Sequence, residues 1–196
     1  FRSIGGVANI TMVGDGAEPV ACDTGPGNAL IDDLMLERTG VPLDRDGAAA
    51  ASGRVDPAAL AALMAHPFFQ ESPPKSLDRN AFSIDPVRDL ETADAARTLA
   101  AFTAEAVATC LKMLPRAARR IIVCGGGARN PVILEELRQR ALIDVATADD
   151  FGWSADAMEA QAFAYMAART LKGLPITFPG TTGAPRPLGG GIIRRP

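Results

Sequence analysis

The start of the chain alternates between apolar, β-prone runs and glycine-rich turns. Phe1–Val13 is largely apolar, and the Gly5-Gly6 pair inside it is typical of a tight hairpin turn. Gly14-Asp15-Gly16 predicts a second turn, followed by a short strand over Pro19–Asp23. The pattern therefore predicts three short strands joined by hairpins.

A helix and an irregular region follow. Ala29–Arg38 predicts a helix that ends at Gly40, since glycine commonly ends helices in the left-handed conformation. Residues 41–90 are rich in Ala, Pro and Asp. We interpret them as an insertion that contains a short helix over Pro57–Met64 and a loop at Pro73-Pro74-Lys75.

The rest of the chain alternates helices and strands. Thr92 is placed to cap a helix whose buried face has spacings of three and four: Ala96, Leu99, Thr103, Val107, Leu111 and Leu114. A strand over Arg120–Cys124 runs into a glycine loop, and Asn130 caps a helix that continues to about Ala141. Another strand over Asp144–Thr147 precedes a last helix, capped by Ser154 and ending near Leu171.

The element order is β-β-β-α-β-α-β-α with a helical insertion. That order predicts an α/β fold, a ribonuclease-H-like lobe, of which two face each other in the actin, hexokinase and Hsp70 group. We expect residues 1–173 to form this lobe and residues 174–196 to form a Pro/Gly-rich tail. Phe1-Arg2-Ser3-Ile4 reads like the middle of a strand, so we expect an upstream region.

Composition narrows the classes of function. The formal net charge is -3, and the chain has no Lys/Arg run, which argues against nucleic acid or an anionic membrane as partner. No apolar run approaches the roughly 20 residues of a membrane helix. The three cysteines, Cys22, Cys110 and Cys124, form no CxxC pair and have apolar neighbours. We expect buried, reduced thiols and a cytoplasmic location.

Three loops at the ends of predicted strands carry glycines, as phosphate-binding loops do. Each loop alone also fits an ordinary turn, but three at one sheet edge favour a ligand site. The candidate cofactor-binding residues are Gly5, Gly6, Asn9, Thr24, Gly25, Gly27, Asn28, Gly125, Gly126, Gly127 and Asn130. No GxxxxGK[ST] motif is present, so the chain contains no P-loop.

Two carboxylates are the candidate catalytic residues. Asp23 ends a strand and opens a Gly/Pro loop, where it is placed either as a general base or as an Asp that caps the turn. Glu159 lies early in the last helix, where it is either functional or a charge that suits the helix end. His66, the single histidine, reads as a helix end beside Pro67. No metal-ligand cluster or Ser/His/Asp spacing is visible.

Taken in order, seven segments resemble the anhydro-N-acetylmuramic acid kinase family. They are Ile4–Thr11, Cys22–Asn28, Asp44–Gly47, Pro73–Ser76, Cys124–Asn130, Glu159–Ala164 and Thr182–Ala184. The resemblance implies an enzyme that uses ATP and Mg²⁺ to open the 1,6-anhydro ring of a peptidoglycan-recycling amino sugar and to phosphorylate O6. It implies that Asp23 activates water and that Glu159 helps to position the sugar. It also implies that the loops at Gly5, Gly25 and Gly125 lie near ATP.

The chain departs from the family pattern in several places. Ser3 stands where Asn is expected, and Leu77-Asp78-Arg79-Asn80 replaces Thr-Gly-Arg-Glu. The family's N-terminal lobe, with its Gly-Thr-Ser-x-Asp-Gly loop, is absent from these residues. We therefore expect the chain alone to be inactive and its tail to pack on that lobe. The resemblance also suggests a homodimer.

Two alternatives stay open. One is a sugar sensor of the same fold, in which a ligand closes the cleft without phosphoryl transfer. The other is a dinucleotide-binding oxidoreductase, because Gly125-Gly126-Gly127 through Asn130, with Asp144 further on, resembles a dinucleotide fingerprint. The last glycine of that fingerprint is replaced by Asn130, which weakens this alternative.

Overall fold

A five-stranded sheet organises the chain. The computed structural model describes residues 2–14 and 16–194. The strand order is β3-β2-β1-β4-β5. The strands are β1 (Arg2–Ile4), β2 (Val7–Met12), β3 (Val20–Pro26), β4 (Arg120–Cys124) and β5 (Asp144–Thr147). The predicted element order is confirmed, although Phe1 of the first run and Asp15 of the second turn lie outside the described residues.

Strand directions bring several loops to one edge. β2 is antiparallel to both β1 and β3, while β4 is parallel to β1 and to β5. The hairpin predicted at Gly5-Gly6 is confirmed, because Ile4 pairs with Ala8 across the turn. The carboxyl ends of β1, β3, β4 and β5 consequently lie at the same edge, where α/β proteins place their ligands.

The third strand is longer than predicted. It begins at Val20 and continues through Thr24, Gly25 and Pro26, which the sequence assigned to a loop. The pairing shifts by one residue between Ala8 and Asn9, so β3 accommodates an irregularity and continues beyond it. The glycine and proline in this segment predict a loop. The strand continues through them because β3 pairs with β2, which a local pattern does not reveal.

Local signals correctly mark two helices. α1 (Ala29–Thr39) ends at Gly40, which has the left-handed conformation and donates its amide to Leu36 O. α5 (Pro131–Ala141) begins after Asn130, whose side-chain oxygen accepts from the amides of Val132 and Ile133.

The predicted insertion contains two helices. α2 (Ala48–Ser52) was not predicted, whereas α3 (Pro57–Met64) confirms the predicted bounds and is capped by the Asp56 side chain. Residues of both helices join the main apolar core, so the insertion is part of the lobe. Short 3-10 turns occupy Arg45–Gly47, Pro67–Gln70, Arg79–Ala81 and Asp85–Val87 in this region, and Gly126–Arg129 and Asp149–Phe151 beyond it.

The central helix is buried on more than the single predicted face. α4 (Thr92–Leu111) packs against α1, α2, α3, α5 and β3, and Ala, Thr and Val side chains keep it narrow enough for this. Its Phe102 is almost fully buried, and a buried side chain of this size stabilises a fold by about 1.5–3 kcal/mol. The predicted cap is wrong by one residue, because Glu91 holds the cap position and Thr92 begins the helix.

The last helix is largely exposed, whereas residues 175–181 of the tail are half-buried. α6 (Met158–Leu171) begins four residues after Ser154, so the predicted cap is wrong. The Ser154 hydroxyl instead accepts from the amide of Ala157 in the preceding turn. A short helix in the tail, α7 (Pro179–Thr182), packs against β3. No helix in the described ranges is long and apolar enough to cross a bilayer.

Candidate active site

Hydrogen bonds join the first two glycine loops directly. The amide of Gly27 donates to Gly6 O at 2.8 Å, and the amide of Asn28 donates to Gly5 O at 2.8 Å. The amide of Ala29 donates to Gly6 O at 3.2 Å. The hairpin turn therefore caps the start of α1, and these three amides are engaged within the protein rather than presented to a ligand.

The third glycine loop lies beside the first two. A Cβ on Gly126 would stand 3.3 Å from Asn28 Nδ2, so these residues are neighbours at the sheet edge. The amide of Gly125 donates to Ala155 O at 3.1 Å, which ties the loop to the segment preceding α6. The expectation that the three loops meet at one edge is thus confirmed by their contacts.

A cavity of about 650 Å³ opens between these loops and the start of α6. Six of the predicted site residues line it: Gly5, Gly6, Asn9, Gly125, Gly126 and Glu159. Ser3, Thr11 and Asp156, which the sequence did not single out as site residues, also line it. A second cavity of about 410 Å³ lies at the opposite end of the sheet, around Met12 and Arg120, away from every candidate residue.

Five of the other predicted cofactor residues have packing or capping roles within the lobe. Thr24 is fully buried, and its hydroxyl donates to Ala8 O at 3.1 Å. Gly25 lies against Ala106 and Phe69, and Gly27 lies against the Gly5 carbonyl, with no room for a Cβ at either position. Gly127 packs on Ile4 just as closely, and Asn130 is the buried cap of α5. The Thr24 and Asn130 side chains are thus bonded within the protein, and the three glycines allow close packing of the backbone.

Asp23 lies on the face of the sheet that carries the larger cavity. It pairs with Asn9 across β2 and β3, and directly opposed residues share a face. Its carboxylate is half-buried, and its Oδ2 accepts from the Leu77 amide at 2.7 Å. Burial raises the pKa of Asp23, and the hydrogen bond from Leu77 lowers it in part. Asp23 does not itself line the cavity; it lies one strand beyond Asn9, on edge strand β3.

Cys22, next to Asp23, faces the opposite side of the sheet. Its Sγ lies 3.3 Å from that of Cys110, and both thiols are buried, as is Cys124. The hydrogen bond with Cys110 and burial together raise the pKa of Cys22. A buried thiol with a raised pKa is a poor nucleophile, so the cysteines are structural.

Metal-binding side chains do not cluster. In the described parts of the chain, no three His, Cys, Asp or Glu residues come close enough together to hold a metal ion. The nearest ionic contact to the cavity is between Asp156 and Arg129, which are exposed.

These observations describe a glycine-lined cavity and a carboxylate on the same face of a ribonuclease-H-like sheet. The family described as anhydro-N-acetylmuramic acid kinase matches the chain over residues 2–195. The chain belongs to this family. The dinucleotide fingerprint of the oxidoreductase alternative lacks its last glycine, which is replaced by Asn130.

Individual curated relatives of this chain carry the same family name. The chain is 57% identical over 196 residues to the anhydro-N-acetylmuramic acid kinase of Nitrobacter winogradskyi, which covers 99% of this chain and 53% of that protein. The kinase of Rhodospirillum rubrum is 54% identical over 190 residues, covering 96% and 51%. The kinase of Caulobacter vibrioides is 54% identical over 192 residues, covering 97% and 52%. The chain thus spans about half the length of the curated relatives it matches.

One solved structure also aligns with the chain. It is the activator of the 2-hydroxyisocaproyl-CoA dehydratase from Clostridium difficile with bound ADPNP, with a TM-score of 0.49 and 15% identity. The alignment covers 86% of this chain and 61% of the activator.

Proposed function

We propose that the chain is the second lobe of a kinase that opens 1,6-anhydro-N-acetylmuramic acid with water and phosphorylates O6 with ATP. The product is N-acetylmuramic acid 6-phosphate. The observation that carries the proposal, within a family of this name, is the half-buried Asp23 carboxylate on the cavity face of the sheet. A sensor has no need of a base there.

Asp23 acts as the general base. It takes a proton from water as the water oxygen bonds to the anomeric carbon and the bond from that carbon to O6 breaks. O6, released from the ring, takes the γ-phosphoryl group, and ADP leaves. Burial raises the pKa of Asp23, which strengthens it as a proton acceptor. Glycoside hydrolysis requires a base beside the anomeric carbon, and a kinase requires a site that binds phosphate.

The glycine loops supply the ATP site. Gly6 and Gly126 are exposed at the cavity, and Gly5 and Gly125 are partly exposed there. Backbone without side chains allows phosphate oxygens to approach amide groups closely. Asn9 and Glu159 line the same cavity, and Glu159 helps to position the sugar. The described residues form no metal cage of their own, and Mg²⁺ bound with ATP would neutralise phosphate charge.

The other half of the full-length protein completes the site. α6 has no buried residue, and its Phe163 and Tyr165 are 63% and 61% exposed. Such aromatic exposure is typical of a surface that another domain covers. We expect the N-terminal lobe to cover it and to contact the rest of the tail after Leu174, of which α7 packs on β3 of this lobe, and we expect these 196 residues alone to be inactive. A homodimer and a cytoplasmic location remain expectations from the family resemblance and the buried thiols.

The full-length protein tests the proposal directly. It is incubated with ATP, Mg²⁺ and 1,6-anhydro-N-acetylmuramic acid, and the sugar is followed by mass spectrometry. A product that gains one water and one phosphoryl group is expected. A product that gains the phosphoryl group alone contradicts ring opening, and the absence of any product, with the sugar bound, supports the sensor.

A further inference from the structure

We propose that residues 75–77 form a positioning clamp for Asp23, in which the backbone amide of Leu77 orients the carboxylate and Lys75 anchors the segment. This inference rests on the proposed function, because it assigns the clamp a part in the action of Asp23 as the base. It gives a role to a loop that differs from the family pattern at Leu77.

Two hydrogen bonds define the clamp. The amide of Asp23 donates to Lys75 O at 2.9 Å, and the amide of Leu77 donates to Asp23 Oδ2 at 2.7 Å. β3 is an edge strand, so the outward amide of Asp23 has no strand to pair with. The Lys75 carbonyl supplies that pairing. Two residues on, the Leu77 amide donates to the side chain of the same aspartate.

Lys75 fixes the segment to the core of the lobe. Its Nζ donates to Phe68 O at 2.7 Å and lies 4.1 Å from the centroid of the Phe68 ring. Phe68 is buried and contacts Phe69 edge-on, and Phe69 contacts Phe102 of α4. The Leu77 side chain also packs against the main core. The clamp is therefore held at both ends by buried groups.

The clamp leaves one carboxylate oxygen for chemistry. In the described part of the chain no donor bonds to Asp23 Oδ1, whereas Oδ2 is held by Leu77. A base that is fixed through one oxygen presents the other in a defined direction, as proton transfer from a bound water requires.

Few other ionisable groups face this carboxylate. Lys75 and Asp23 both act electrostatically on Cys22, so the Lys75 ammonium and the Cys22 thiol lie near the Asp23 carboxylate. Asn9 on β2 and the residues of α7, which packs on β3, have no ionisable side chain. Cys110 lies beyond Cys22 on the other face of the sheet. Loss of the Leu77 amide should therefore raise the pKa of Asp23, since that bond is what lowers it.

The test uses the full-length protein with Leu77→Pro, which removes the N–H, and Leu77→Ala, which keeps the N–H while removing most of the Leu77 side chain. The clamp predicts that the acidic limb of the kcat–pH profile moves up by about one pH unit in Leu77→Pro. At a pH below the limb, kcat should fall about tenfold with little change in KM. In Leu77→Ala the limb should stay at the wild-type pH.

If Leu77→Pro does not fold, a backbone ester at residue 77 tests the clamp instead. The ester replaces the N–H by an oxygen and keeps the Leu77 side chain. An acidic limb that stays at the wild-type pH in the ester variant overturns the clamp. A ¹³C NMR titration of the Asp23 carboxyl separates this failure from failure of the proposed function. If that titration moves up in the ester variant while no variant and no wild-type protein turns over, the clamp geometry stands and the catalytic role of Asp23 is rejected. If the titration does not move, the clamp is rejected whatever the activity.

Discussion

The amide of Asn28 donates a 2.8 Å hydrogen bond to the carbonyl oxygen of Gly5, which ties the start of α1 to the first hairpin turn. This contact requires Gly27 to have no side chain, because a Cβ there would overlap the Gly5 carbonyl. At Gly5 a Cβ would find its nearest neighbour, Val7 O, at 3.8 Å, an ordinary contact distance.

Gly27→Ala should therefore destabilise the full-length protein, whereas Gly5→Ala should not. We expect a loss of about 2–3 kcal/mol for Gly27→Ala, which corresponds to forcing two backbone segments apart, and a change within about 0.5 kcal/mol for Gly5→Ala. Thermal and urea unfolding measure both. Equal midpoints for the two variants would show that the hairpin and α1 are not packed as described.

A buried carboxylate joins α4 to α5. Glu136 is 1% exposed, and it pairs with Arg97 at 2.6 Å and with Arg140 at 2.7 Å. Glu136→Gln should lower the unfolding free energy by about 3 kcal/mol, because the partly buried guanidinium of Arg97 loses its counter-charge and that of Arg140 keeps only Glu105.

Glu135→Gln is the matched control for this change. Glu135 is the adjacent residue on α5, and its carboxylate is exposed and bonded to Gln139. Its substitution should cost less than about 0.5 kcal/mol. Urea unfolding of both variants checks the pair, and a Glu136→Gln midpoint equal to that of Glu135→Gln would mean that the ion pairs add nothing.

Stability should depend on pH through Asp32. Burial and the neighbouring Asp33 raise the pKa of Asp32 to about 6, against an ordinary value of 3.8, while Arg79 opposes the shift. The folded state therefore holds this proton more tightly than the unfolded state does. Stability is lost as the pH rises from about 4 to about 6, and the loss is complete above that range.

Asp32→Asn should remove this loss. Because the side chain is partly exposed, solvent screening limits the gain to about 1 kcal/mol at pH 7. The gain should shrink towards zero near pH 4, where Asp32 is protonated in the folded state. Urea unfolding at both pH values measures it, with Glu37→Gln, an exposed acid on the same helix, as control. A gain of equal size at both pH values would contradict the raised pKa.

Much of the fold could be predicted because the residues that cap or end its helices act locally. Gly40 and Asn130 act on the backbone within a few residues, so they mark helix ends without knowledge of the rest of the chain. The burial of α4 on several sides could not be predicted, since it depends on α1, α2 and α3 earlier in the chain and α5 later in the chain, which pack around it.

The roles of the glycines could not be predicted from their loops. Gly126 and Gly127 are adjacent in sequence, yet Gly126 is exposed at the cavity and Gly127 packs on Ile4 of a distant strand. The contact of Leu77 with Asp23 was missed for a similar reason, as the two residues are 54 positions apart. Sequence patterns indicate where the chain turns but not which segment it then meets.

Oxygen labelling tests whether Asp23 activates water. The full-length protein is incubated with ATP, Mg²⁺ and 1,6-anhydro-N-acetylmuramic acid in ¹⁸O-water, beside Asp23→Asn and the surface control Asp33→Asn. We expect a phosphorylated sugar that carries one labelled oxygen. The rate should fall at least about a hundredfold in Asp23→Asn, with that of Asp33→Asn near wild type. A phosphorylated product without label, or an Asp23→Asn variant that turns over at the wild-type rate, would rule out Asp23 as the base that activates water.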